Sequence, residues 1–225
     1  MTKNAAVQKG LFTTLYNAKE GKLYFEIPDS AFGRTYILAN RVAATSNTRD
    51  FVAGQIATQP LLIRFSKDER NVYIHQIQSS DIVAGTDPIA AALDKNLYDP
   101  VFKGFKIAAQ NGKNVVIDVT AFFGANEKAI SPIKTDNPLS KLLGGANSLK
   151  GTFVPDASGI VSSKCVPENI EIKSRLSFTL TPLGQPYSVI MHRSLFALPD
   201  DPMPMRLQDN RVGFFYSDKS IYTSE

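Results

Sequence analysis

Two histidines and one cysteine are the whole supply of imidazole and thiol in 225 residues. A protein zinc site draws three or four ligands from histidine, cysteine and acidic side chains. His75, Cys165 and His192 lie far apart along the chain, so no local spacing supports a metal centre. A single cysteine also excludes an intrachain disulfide. The motifs of several common chemistries are missing: H-E-x-x-H, G-x-S-x-G, G-x-G-x-x-G and the phosphate-binding G-x-x-x-x-G-K-[ST]. No apolar run reaches the ~18 residues of a membrane-spanning helix. The opening MTKNAAVQKG lacks the apolar core of a signal peptide. The 25 Lys and Arg are scattered among 21 Asp and Glu. Without a concentrated basic stripe, no nucleic-acid partner is expected.

What is present reads mostly as strand. Leu11 to Tyr16 and Leu23 to Ile27 flank Asn-Ala-Lys-Glu-Gly-Lys, the pattern of a hairpin. Tyr36, Leu38 and Val42 mark a third strand. Leu61 to Phe65 and Val72 to Ile77 form a second hairpin pattern. Val115 to Val119 is a short apolar run that suits a strand buried on both faces. Ile170 to Leu180 alternates most cleanly. Ile170, Ile172, Leu176, Phe178 and Leu180 share one face, and Glu171, Lys173, Arg175, Ser177 and Thr179 share the other. Such alternation belongs to antiparallel sheet with one buried and one wet face. Helix signals are few. Asp87-Pro88 is an N-cap followed by proline at the first helical position. Asp99-Pro100 ends that helix, and a shorter one is expected from Asn137-Pro138. The stretch 126–166 is rich in Gly, Pro, Ser and Asn and reads as a long irregular surface excursion. The expected fold is therefore mainly β with minor α: a twisted, sandwich-like antiparallel arrangement, one medium helix near 88–98, and residues 1–225 forming a single domain.

Candidate chemistry is sparse. His75 and His192 both read as packed, hydrogen-bonded sheet residues, because a general base needs a nucleophile or water beside it and the sequence names none. Asp200-Asp201 before Pro202 could hold calcium through oxygen ligands, but adjacent carboxylates in a proline loop more often face solvent. Asp118 or Thr120 is placed to cap the turn after its strand. Phe122, Phe123, Phe102 and Phe105 lack interleaved cations and read as core rather than as a stacking platform.

Four segments carry a resemblance: KGLFTTLYNAKEGKLYFEIPDSAFGRTYILANRVA, NVVIDVTAFFGA, NIEIKSRLSFTL and VIMHRSLFALPDDPMPMRLQDNRVGFF. Together, in this order and spanning about Lys9 to Tyr216, they resemble the central domain of unknown function that precedes the catalytic domain in a family of large bacterial zinc-dependent, metzincin-like metallopeptidases. The pattern departs between Ser131 and Lys164. The resemblance implies a fragment of a longer exported protein, located in the periplasm, in the cell envelope or outside the cell. It implies an accessory role, supporting or orienting a downstream catalytic domain that is its partner. No catalytic or metal residue is carried over, and zinc is expected only in that downstream domain. Arg211, Val212, Phe214 and Phe215 are the expected interdomain contact. The alternative is an envelope module binding carbohydrate or peptide through the sheet aromatics Tyr24, Tyr36 and Tyr73.

Overall fold

In the computed structural model the described residues are 4–48, 51–77, 81–83, 87–96, 98–133, 150–199, 201, 203–204, 211 and 220–222. The chain begins with β1 (Ala6–Lys9), β2 (Thr13–Asn17), β3 (Lys22–Ile27) and β4 (Thr35–Thr45). It continues through β5 (Ile56–Lys67), β6 (Asn71–Gln76), β7 (Asp81–Val83), α1 (Ala90–Asn96), β8 (Val101–Asn111) and β9 (Asn114–Asp118). It then runs through α2 (Thr120–Gly124), β10 (Gly151–Phe153), β11 (Gly159–Cys165), β12 (Asn169–Leu180), β13 (Gln185–Ala197) and β14 (Ser220–Tyr222).

Among the described residues, twelve strands make one antiparallel sheet in the order β1-β2-β3-β9-β8-β6-β5-β4-β13-β12. The far edge of β12 is shared: β11 lies opposite Ile170 to Arg175, and β10 lies opposite Phe178 to Leu180. β7 and β14 form a separate parallel pair. The mainly β, minor α class is what the structure has, realised as one curled sheet in the form of a half-barrel. The alternation of β12 is visible in its burial. Ile170, Ile172, Ser174, Leu176 and Phe178 are buried, while Lys173 and Arg175 are exposed; Ser177, expected on the wet face, is buried with its Oγ donating to Ala157 O, and Leu180 is only half-buried. β9 departs from expectation. Val115 and Ile117 are buried but Val116 is only half-buried, because a curled sheet gives each strand one inward face. The stretch expected to be irregular holds two sheet strands, β10 and β11. They are short, and the ladder of β11 to β12 has a register shift between Ile160 and Ser162 that blurs the alternation. Asp87 caps the helix region as its position suggests, accepting the Ile89 N–H at 2.9 Å on Oδ1. The helix expected from Asn137 lies outside the described residues.

The inward face carries two apolar clusters. The larger gathers Leu23, Phe25, Ile27, Tyr36, Leu38, Phe65, Ile117 and Ile170. The short helix α2 plugs it with Phe122 and Phe123, both buried as expected of core residues. Asp118 accepts the Thr120 N–H at 2.8 Å, and Thr120 Oγ1 accepts the Leu23 N–H at 2.9 Å, so the plug is pinned to both β9 and β3. Rings at the centre meet edge-on: Phe12 against Phe25, Tyr36 and Phe65 at centroid separations of 5.7 to 5.9 Å. That arrangement suits the ring quadrupoles. The smaller cluster holds Val42, Ile133, Leu176, Phe178, Tyr187, Val189 and Met191.

The curl brings the first strands against β11 without a ladder between them. Leu11 N–H donates to Val166 O at 2.8 Å, Cys165 N–H to Gln8 Oε1 at 2.8 Å, and Tyr16 OH to Ile160 O at 2.9 Å. The buried Cys165 thiol donates to Phe12 O at 3.3 Å. At this seam only glycine fits position 10, since a Cβ there would lie 2.3 Å from Val166 O. Burial pushes the Cys165 thiol pKa up, outweighing its backbone hydrogen bonds. Gly10→Ala is therefore expected to force the seam apart at a cost of about 1–3 kcal/mol, with Cys165 alkylated faster in the folded variant. Denaturant midpoints and iodoacetamide labelling rates check this; unchanged values for both would mean the seam is not closed by that contact.

Candidate functional site

Polar side chains gather in three groups on the outer face and one on the inner. At the β12–β13 ladder Glu171 stands opposite Ser194, with His192 two residues along on the same face. Glu171 Oε2 takes His192 Nε2 at 2.6 Å and Ser194 Oγ at 2.5 Å, and its Oε1 takes Asn169 Nδ2 at 2.8 Å. The carboxylate is thus held by three donors. Ser194 gives its proton to Glu171 rather than to His192, so the trio does not form a nucleophile relay. Beside it opens a groove of about 500 Å³ lined by Val166, Pro167, Glu168, Asn169, Phe196 and Ala197.

A second group lies on β5 and β6. Ser66 Oγ is 2.7 Å from His75 Nε2, and His75 Nδ1 is 3.1 Å from Asp99 O. A carbonyl only accepts, so Nδ1 carries the hydrogen and Nε2 accepts from the Ser66 hydroxyl. Arg64 holds the Asp99 carboxylate at 3.4 Å, and the Tyr98 ring stands edge-on to His75 at 6.2 Å. These bonds pin the loop before β8 to the β5–β6 hairpin, and both histidines are packed and hydrogen-bonded as their sequence context suggests.

The β5–β6 turn is the third group. Asp68 Oδ1 accepts the N–H groups of Arg70 at 2.7 Å and Asn71 at 2.6 Å, and Oδ2 accepts Tyr73 OH at 2.7 Å. The Tyr73 hydroxyl first, then those N–H groups, lower the Asp68 pKa to about 2, and the same hydroxyl's bond to Asp68 raises the Tyr73 pKa.

On the inner face Arg193 stands between the two apolar clusters, opposite Asn40 of β4 and Ile172 of β12, with no exposed surface. Its Nη1 donates to Phe123 O. Its Nε and Nη2, together with Asn40 Oδ1 and Ser174 Oγ, are buried without a hydrogen-bond partner among the described residues. Burial pushes the Arg193 pKa down to about 10. The sequence carried the signal, since Arg193 shares its strand face with Met191 and Leu195.

The residues singled out from sequence are not brought together. Tyr24 and Tyr73 are half-buried on β3 and β6, which β9 and β8 separate. Tyr36 is in the core, with 1% of its surface exposed and its hydroxyl donating to Ala31 O, so it cannot join a binding row; its face of β4 turns inward with Leu38. Arg211 is exposed, in a turn. Val212, Phe214 and Phe215 lie outside the described residues, as does Asp200; Asp201 is exposed. The described His, Cys, Asp and Glu residues form no group of three placed to hold a metal ion, and no helix among the described residues is long and apolar enough to cross a membrane.

Fold and site together define a β-rich domain whose polar groups mostly brace its own strands. Residues 54–225 match the family described as Domain of unknown function (DUF5117), to which the chain belongs, and residues 1–45 match the domain of unknown function DUF5118. No curated protein and no solved structure matches it. The division between the two matched segments falls in the connection from β4 to β5. Yet β4 sits between β5 and β13, and β3 sits against β9, so the two segments build one sheet.

Two outcomes are expected. The 54–225 segment expressed alone should show no cooperative thermal transition, and co-expression with 1–45 should restore it; a transition matching the whole chain's would show that the segments fold apart. Separately, the Asp68 carboxyl should titrate near pH 2 by carbon-detected NMR, and Tyr73→Phe should move its midpoint upward. Because the folded pKa is depressed, the turn's contribution to stability is complete above the ordinary carboxylate range (about 3.9) and is lost as pH falls through about 2.

Proposed function

We propose that the chain is a noncatalytic accessory domain of a bacterial envelope zinc metallopeptidase, supporting or orienting a catalytic domain that follows it in the parent protein. The observation that carries this reading is where the residues of the resemblance lie. Gly10, Leu11 and Phe12 form the seam. The Val-Ile-Asp-Val-Thr-Ala-Phe-Phe segment is β9 and the helical plug. Met191 and Arg193 are buried on β13. These residues build a frame rather than line a cleft, which favours a supporting role over a catalytic one. The zinc and its ligands belong to the downstream domain, and the segment Arg211 to Phe215 is the proposed contact with it.

The test uses the full-length protein. Phe214→Ser with Phe215→Ser is expected to raise cleavage at the domain junction in limited proteolysis and to lower peptidase activity about tenfold, the loss of about 1.4 kcal/mol of coupling. Unchanged protection and activity in the double variant would reject the contact, and with it this reading of the frame.

A further inference from the structure

β8 pairs with two strands in succession rather than side by side. Val101 to Lys106 lie opposite β6, and Ile107 to Asn111 lie opposite β9. On the first half Lys103 Nζ meets Glu127 Oε2 at 2.5 Å and sits over the Phe122 ring. The second half is left open by the described residues. Ile107 N–H donates to Arg70 O at 2.9 Å, and there the β5–β6 turn leaves the edge. Beyond that bond, Ala108, Ala109 and Gln110 are exposed, and no strand among the described residues lies against them on that side. Alternate residues of an antiparallel ladder turn both backbone groups away from the partner strand. Asn111 stands opposite Asn114 across the two-residue turn at Gly112, where φ is +61°, so Gln110 is the residue whose N–H and C=O face outward. The space along this edge is a groove of about 600 Å³ lined by Glu69, Arg70, Asn71 and Lys106 to Gln110.

We propose that this groove binds an extended acidic peptide segment of a partner protein, which adds to the sheet along 108–110. At this strand edge Gln110 offers an outward main-chain donor and acceptor together, a pair that an extended chain satisfies in register. The charge at the groove selects among such chains: the cations Arg70 and Lys106 stand against the single carboxylate of Glu69. The bulge between Ile107 and Ala109 turns the edge away from flat pairing, which favours a short occupant over sheet-to-sheet stacking. This inference goes beyond the accessory reading and does not depend on it, since the isolated chain carries the whole groove.

The experiment uses the chain as it is and two fluorescein-labelled hexapeptides, one alternating glutamate with valine and one alternating lysine with valine, followed by anisotropy. The acidic peptide is expected to bind at least about tenfold more tightly, and to slow hydrogen exchange at the Gln110 amide. Gln110→Pro removes the outward donor while leaving the β9 ladder, and should abolish binding with the circular dichroism spectrum unchanged. Arg70→Glu with Lys106→Glu should invert the preference, and decides the matter if the proline variant fails to fold. Equal affinity for both peptides, no saturation by either, or full binding by a folded Gln110→Pro variant would overturn the proposal.

Discussion

The sheet depends on one strand being held between the strand that follows it and another from the far end of the chain. β4 comes early in sequence but sits in the middle of the sheet, opposite β5 on one side and β13 on the other. Remove it and two long edges face solvent, each with a full row of unpaired N–H and C=O groups. The inner face would open too, because Tyr36, Leu38 and Val42 project from β4 into both apolar clusters.

The polar residues follow from the same geometry. An outward face of a curled antiparallel sheet sets side chains of neighbouring strands close together. Glu171 with His192 and Ser194, and Ser66 with His75, are such cross-strand groups, and their hydrogen bonds are mutual. Arg193 is the exception. It lies on the inward face with a guanidinium that the described residues satisfy only through Phe123 O. A buried charge of this kind is a poor source of stability. It marks where the two apolar clusters meet and ties β13 to the plug beneath it.

Much of this was legible in the residues. The alternation of Ile170 to Leu180 placed β12 and its buried face, the two hairpins stood where turn residues separated apolar runs, and Asp87 announced its cap. What escaped were facts of long range. Nothing local says that Gly10 will meet Val166, or that β8 will change partners halfway along. Tyr36 falls in the core and not in a surface row, because a strand's parity does not say which face is inward until the sheet's curl is known. Arg193 shows the reverse: its parity with Met191 and Leu195 put it inside, against the habit of its residue type. The alternation places Glu171 on the wet face, but its contact with His192 needs the β12–β13 register.

The seam has a chemical consequence as well as a mechanical one. A chain with one surface thiol can be joined covalently to a second copy whenever an oxidant is present. Here the only thiol lies beneath the meeting of the first strands and β11, protonated and hydrogen-bonded to Phe12 O. As long as the half-barrel stays drawn together, that sulfur is out of reach of any partner sulfur, and the contact at Gly10 that shapes the molecule also keeps each copy a separate covalent species.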